Sequence, residues 1–331
     1  MPDILKSRAA CLAQHAGLWC AVPGWLDTMV GAVNRGLLSG RGEFARLAVE
    51  QREVRDALAE LGDDALADNR ERRPRAAAEL REKRHRPFML DESGIAVIEM
   101  VGPMMKGSSK LGSNANTIDV RRAIRAAVGD PEVQGILLVV DSPGGTVAGT
   151  AELAADVRAA AEKKPLRVHA DDLMASAAIW ATASAHRITA SPTTEVGSIG
   201  TVLVVQDTSE AMATEGVRVH VISTGPNKGA GAPGAEVTPE QLAGLRERVE
   251  DLNAHFIKAL EDGRGLKGAK LDAVSDGRVW IAERAQGLGL IDAVATMDEA
   301  LTHFRRSLAR SARSRAARAD LAEAELRAAG L

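Results

Sequence analysis

Tyrosine is absent from these 331 residues, and phenylalanine and tryptophan supply four positions each. The core must therefore come from Ala, Val, Leu and Ile, and recognition of nucleic acid by base stacking has little to work with. Cysteine is equally sparse. Cys11 and Cys20 lie near the amino terminus with no second pair, which argues against a disulfide framework or a Cys-based zinc site and makes a reducing compartment the default. The seven histidines show no HExxH or comparable metal spacing. Long apolar runs are missing too. The most apolar stretch, 9–33, is broken by Gln14, His15, Pro23, Gly24 and Asp27, so it falls short of the roughly 18–20 residues of a membrane span and of the clean run of a secretory signal. A net charge of −3 gives no pull towards DNA or an anionic membrane surface. These absences lead us to expect a soluble cytoplasmic protein with no membrane span and no specific nucleic-acid partner.

The residues that are present divide the chain into four pieces. Residues 1–41 carry apolar positions at helical spacing and predict an N-terminal helical segment anchored by Trp19 and Trp25. Residues 42–92 are densely charged. They begin as an amphipathic helix and end, around Arg72 to Arg86, as a solvated linker or exposed helix. From 93 to 296, apolar runs alternate with amphipathic stretches, which argues an α/β domain with buried parallel strands. Strands are expected at 94–102, in the run GILLVVDSPGG (135–145), and at 166–170, 187–190, 199–205 and 217–223. Helices are expected over 117–130, 147–163 and 208–215, after Ser176, and from Thr238, where Thr238 and Gln241 make a capping box. The tail, 297–331, carries six arginines from Arg305 to Arg318 with no acid among them until Asp320. It reads as an exposed helix, with an anionic-partner contact as the alternative.

Two strand ends attract attention, because ligands of α/β sheets settle beyond the carboxyl ends of strands. In DSPGG (141–145), Pro143 fixes its own φ while Gly144 and Gly145 let the backbone turn and approach a ligand. Their N–H groups suit an oxyanion hole or simply a tight turn, and the residues alone leave the two readings level. In MASAA, Ser176 stands among alanines where a strand gives way to a helix. The bland reading is a helix cap or a small core residue. The sharper one is a nucleophile at a helix mouth, with the Ala177 amide aimed like those of the glycine turn. A serine hydroxyl needs a base. His169 reads as a packed strand residue and His186 as a surface one, whereas Lys228 lies in the Gly/Pro-rich loop GPNKGAGAPG. On loop statistics alone that lysine is solvated.

A resemblance bears on the choice. DSPGG, MASAAIWAT, EVGSIGTV, GPNKGAG and GRVWIAERAQGLGLID occur in this order and resemble the signal peptide peptidase A family of serine–lysine peptidases, including the prohead proteases of tailed phages. The resemblance runs from about Ser93 to Val294. It implies a Clp-protease/crotonase-like α/β fold and peptide-bond hydrolysis without metal or cofactor. By it Ser176 is the nucleophile, Lys228 the general base, and Ser198 the serine that hydrogen-bonds the lysine amine. Gly144, Gly145 and Ala177 form the oxyanion hole. The family's nucleophile is often followed by Gly-Gly, and here by Ala177-Ala178.

The resemblance also implies a polypeptide substrate and a ring-shaped homo-oligomer, in which serine and lysine can come from adjacent subunits. The Trp-containing start LWCAVPGWLDTMVGAVNRG is similar to that of phage capsid-assembly peptidases. The reading it implies is head maturation by cleavage of scaffold, portal or major capsid protein, in a host cytoplasm or prohead interior. The alternatives are a soluble bacterial peptidase that degrades signal peptides, a catalytically inert structural ring or scaffold, and, more distantly, a crotonase-type acyl-CoA enzyme.

Overall fold

The structure of the protein, a computed structural model, describes residues 19–21, 86–107 and 114–328. The helices expected over 1–41 and 42–92 fall almost wholly outside these residues.

A central sheet carries the fold. Its longest strands are β3 (Ile95–Val101), β6 (Gly135–Ser142) and β8 (Leu166–Ala175). They run parallel in that order, and β2 (Met89–Leu90) closes one edge antiparallel to β3. The first half of β8 pairs with β9 (Arg187–Ala190), which pairs with β12 (Ala293–Val294). The second half pairs with β10 (Glu195–Gly197), which is bordered by antiparallel β11 (Val279–Ile281). A smaller sheet joins β1 (Trp19–Ala21), β7 (Gly144–Thr146), β4 (Met104–Met105) and β5 (Ala115–Asn116) in that order. The α/β class with parallel strands and flanking helices, expected from the sequence, is the class observed.

The apolar runs in β3 and β6 are explained by burial on both faces. Ala96, Ile98 and Met100, with Ile136, Leu138 and Val140, point into the main core. That core is completed by α1 (Thr117–Gly129), α2 (Thr150–Ala161), α3 (Ala177–Thr182) and α5 (Pro239–Arg264). The alternate residues Ile95 and Leu137 meet Phe304 and Leu308 of α8 (Met297–Ala328) on the opposite face. A strand's side chains alternate between faces, so one continuous apolar run serves two layers. Gly135 is required where it stands, because a Cβ there would press on the Phe304 ring. The first turns of the arginine-rich tail helix are thus part of the sheet's cover, and its exposed arginines begin at Arg305.

Helix α5 opens with the capping box expected at Thr238 and Gln241, with both reciprocal bonds present. It ends at Gly265 in the left-handed region. Two other segments depart from expectation. The strands expected at 199–205 and 217–223 form no ladder, and Val204 and Ile222 are 68% and 98% exposed. Only the short α4 (Ser209–Thr214) forms between them, without a buried residue. Alternating valines favour a pleated, half-buried surface, and no strand among the described residues pairs with these.

The carboxyl end of α5 is tied to the sheet by Arg264, whose guanidinium makes bonds of 2.8 and 3.2 Å to Asp292. Asp292 also accepts the Ile188 N–H at 2.6 Å. Burial alone would push the Asp292 carboxyl up, but the Arg264 and Ile188 bonds and the Arg264 and Arg187 charges hold it below its ordinary value. A depressed carboxylate adds stability above its unfolded pKa, and that stability is lost as pH falls through the folded one. Asp292→Asn should therefore cost on the order of 2 kcal/mol at neutral pH. Thermal melts should show the deficit shrinking below about pH 4, where Asp292 of the unfolded parent takes up its proton, and vanishing once pH falls through the lower folded value.

Candidate active site

The site begins with a mismatch in strand register. Val140 of β6 lies opposite Ala170 of β8, but Ser142 lies opposite Met174. Two residues on β6 thus span four on β8, and the extra ones, including the exposed Asp171 and Asp172, bulge outward. On the other side of β8, Ala175 lies opposite Gly197 of β10. Gly144, Ser176 and Ser198 therefore follow three neighbouring parallel strand ends in a row, with Ser176 in the middle.

Backbone geometry picks out the same residues. Among the described residues, Ser176 (φ 54°) and Ser198 (φ 55°) are the only non-glycines with positive φ. Such a conformation costs about 1–3 kcal/mol and persists only where the surroundings impose it. Here the Ser176 N–H donates to the Gly197 carbonyl at 2.8 Å, and the Ser198 N–H to the Arg278 carbonyl at 2.6 Å. The Ser176 carbonyl accepts from Ile179 and Trp180, starting α3. Trp180 stacks on Phe256 of α5 with centroids 5.4 Å apart, so the short helix cannot drift.

The strained turn presents an unusual hydroxyl. Ser176 is fully buried, and among the described residues its Oγ has no hydrogen-bond partner. It occupies the N-cap position of α3 yet makes no capping bond, so the bland reading as a helix cap does not describe it. Ala177 is the first residue of α3, where an N–H has no intrahelical acceptor. Ala175, Ala177 and Ala178 line the turn, all fully buried.

On the neighbouring strand end, Gly144 has φ 91°, and a Cβ on Gly145 would fall on the Met104 backbone. Both glycines are sterically required. The Gly144 N–H donates to Ser142 Oγ at 3.2 Å, and that hydroxyl donates to the Gly102 carbonyl at 2.7 Å. Ser142, which composition and motif spacing had not singled out, thus organises the turn. The Asp141 carboxyl beside it is pushed up by burial and then by repulsion from Asp172 and Asp171.

The candidate bases separate clearly. His169 is buried, with Nδ1 3.0 Å from Thr189 Oγ1 and Nε2 3.3 Å from Ser191 Oγ. Thr189 gives its own proton to the Val168 carbonyl, so His169 donates from Nδ1. Burial lowers the His169 pKa, Asp171 partly opposing, and the ring is a satisfied neutral packing residue. His186 accepts the Leu166 N–H at 3.2 Å. Leu166 opens the ten-residue β8 whose far end precedes Ser176, and that length corresponds to roughly 30 Å. Lys228 is exposed in its loop, with its backbone N–H bonded to the Gly225 carbonyl. Asp207 braces this excursion at its base. It accepts from Ser209 and from the Val237 N–H, bonds that hold its carboxyl below the usual range. Within one chain the structure aligns Ser176, Gly144, Gly145, Ala177 and Ser198, but makes no hydrogen bond between Ser176 and Lys228. Among the described residues, no group of three or more His, Cys, Asp or Glu side chains is placed to hold a metal, and no helix is long and apolar enough to cross a membrane.

Comparison with known proteins agrees with the motifs. Residues 158–310 match Peptidase family S49, the resemblance expected from the sequence. The chain is 32% identical to Protease 4 of Salmonella typhi over 82% of its own length and 44% of that protein's. It is 28% identical to Capsid assembly protease C of Escherichia phage lambda over 65% of its length and 50% of the relative's. The chain thus spans about half the length of curated relatives it matches. Among solved structures, the ClpP protease catalytic domain from Plasmodium falciparum aligns at TM-score 0.39 and 12% identity, covering 61% of this chain and 85% of that one.

An unpartnered buried hydroxyl contributes nothing to folding and carries a desolvation cost. Ser176→Ala should therefore melt no lower than the parent and gain up to about 1 kcal/mol. A clear loss of stability in a denaturant titration would mean that Oγ has a structural partner after all.

Proposed function

We propose that this chain, whose residues 158–310 match Peptidase family S49, is a serine endopeptidase with Ser176 as nucleophile and Lys228 as general base. The observation that carries the reading is the Ser176 turn, a buried hydroxyl without a partner on a strained strand-to-helix corner. Folding energetics alone would select against that arrangement, and chemistry at the hydroxyl accounts for it.

The reaction is acyl transfer to serine and then to water. Neutral Lys228 takes the Ser176 proton as Oγ attacks a substrate carbonyl, and passes it to the leaving amine. Water then repeats the sequence on the acyl-enzyme. Ser198 orients the amine. The Ala177 amide and the Gly144–Gly145 turn hold the tetrahedral oxyanion. The Gly144 N–H now rests on the neutral Ser142 hydroxyl at 3.2 Å, and a charged oxyanion is a stronger acceptor that draws it away. No metal or organic cofactor has a role in this scheme.

The lysine arrives on assembly. Its segment carries the uncovered residues Val202, Val204, Val217, Val219, Val221 and Ile222, an apolar surface suited to burial against a second copy. A homo-oligomer would thus order the loop and bring Lys228 of one subunit to Ser176 of another. The likeness to the lambda capsid protease supports a role in phage head maturation, with scaffold, portal or major capsid protein as substrate, in the host cytoplasm or prohead interior. The likeness to Protease 4 covers more of the chain and supports a second reading, bacterial peptide degradation.

Ser176→Ala and Lys228→Ala should each abolish hydrolysis of fluorescein-labelled casein. Mixing the two inactive proteins under conditions that exchange subunits should restore activity to about a quarter of the parent level, the share of interfaces that pair an intact serine with an intact lysine. Full activity of Lys228→Ala alone would remove the lysine from the mechanism. Separately, Val204→Lys with Ile222→Asp should yield smaller assemblies in sedimentation and at least about a tenfold loss of casein turnover, since each introduced charge must be desolvated at the interface.

A further inference from the structure

On the face of the sheet that α8 covers, three arginines and a histidine converge with no acid between them. Arg167, near the start of β8, lies opposite Arg187, the first residue of β9, in the parallel register. Residues paired in this way point to one face of a sheet, so two guanidiniums stand side by side, where like charges repel. Helix α8 adds His303 and Arg310, at positions that share one helical face with Ser307. Together they line a cleft of about 300 Å³, with Leu137 and Val294 among its apolar walls. None of the described residues lining it is acidic.

The nearby carboxylates are engaged elsewhere. Asp292 is bonded to Arg264 and to the Ile188 N–H, and Arg187 is the weakest of its attractions. Glu299 is held below its ordinary value first by the Thr296 N–H and hydroxyl, and only last by His303. Arg167 is fixed in place without any carboxylate. Its guanidinium lies 4.6 Å from the centroid of the Phe304 ring, and Nη2 donates to Ser307 Oγ at 2.8 Å. Burial, and then the charges of Arg187 and Arg310, lower the Arg167 pKa. A ring and a neutral hydroxyl orient a guanidinium but leave its charge uncompensated. Cations gathered in a partly enclosed cleft remain costly until an anion joins them.

We propose that this cleft is a binding site for a small anion bearing a diphosphate group, held by Arg167, Arg187 and Arg310 between the sheet and α8. Guanidinium forks bond phosphate oxygens in pairs. A diphosphate also brings several negative charges to meet three arginines, which a single carboxylate cannot. The volume lies at the lower end of the range for small-molecule sites. The arginine-rich tail thereby gains its anionic partner through Arg310, the member of its six that lines the cleft. Nothing in this site depends on the peptidase reading.

Pyrophosphate is the probe, added to the full-length protein with ionic strength held constant by sodium chloride. The melting temperature should rise by at least about 4 °C at saturation, and calorimetric titration should give one site per chain. Arg187→Gln and Arg310→Gln should each weaken the affinity at least about tenfold. Arg306→Gln, which alters a tail arginine outside the cleft, should bind like the parent. Without pyrophosphate, Arg310→Gln should melt no lower than the parent, because it relieves repulsion from Arg167. ADP separates the sources of the group. Affinity above that of pyrophosphate identifies a nucleotide, equal or lower affinity identifies a free diphosphate, and either supports the site. Citrate binding more tightly than pyrophosphate would overturn the phosphate assignment. A melting rise no larger than sodium chloride alone produces, or an affinity unchanged in Arg187→Gln and Arg310→Gln, would overturn the site itself and leave the peptidase reading untouched.

Discussion

The site depends on three parallel strands ending side by side while the middle one is held out of a relaxed conformation. The Gly197 carbonyl, bonded to the Ser176 N–H, is the contact that enforces this. It fixes the corner from the β10 side, while the Trp180–Phe256 stack fixes the helix that follows. Between these two restraints the Ser176 side chain has no freedom to seek a partner. A buried, unbonded hydroxyl and a positive φ are each unfavourable, and the fold sustains both by over-determining the backbone around them. The β8 bulge has a related effect. By spending extra residues in Asp171–Leu173, it restores the register that sets Ser142 against Met174 and brings the glycine turn level with the serine.

The same sheet explains why some of the candidate site residues are fixed within a single chain and Lys228 is not. Gly144, Ser176 and Ser198 are carried by strand ends whose positions follow from buried ladders. Lys228 is carried by an excursion from the sheet that contributes almost nothing to the core, and its alternating valines remain uncovered. Rigid parts of the site are built by packing within the chain. Under the proposed function, the proton acceptor would be supplied by contacts between chains, which would couple hydrolysis to assembly.

Much of this was legible in the sequence. The continuous apolar runs of β3 and β6 announced buried parallel strands, and the Thr238–Gln241 capping box marked the start of α5. DSPGG and MASAA announced the two strand ends. The expected strands at 199–205 and 217–223 were less faithful, because valine alternation reports a surface wanting cover and says nothing of which chain supplies it. The role of Ser142 was hidden inside a motif read for its glycines. The carbonyls of Gly197 and Arg278 were invisible for a deeper reason: every residue has a carbonyl, and its selection as an acceptor leaves no trace in residue type.

The sequence by itself determined which residue types are available for chemistry and where strands give way to turns, since apolar periodicity and glycine placement are local properties. Only the tertiary structure decided that Ser176 caps nothing, that His169 is spent on Thr189 and Ser191, and that Gly144, Ser176 and Ser198 stand in one row. Those outcomes depend on strand register across gaps of about 20 to 80 residues, and register is settled by the burial of whole faces at once.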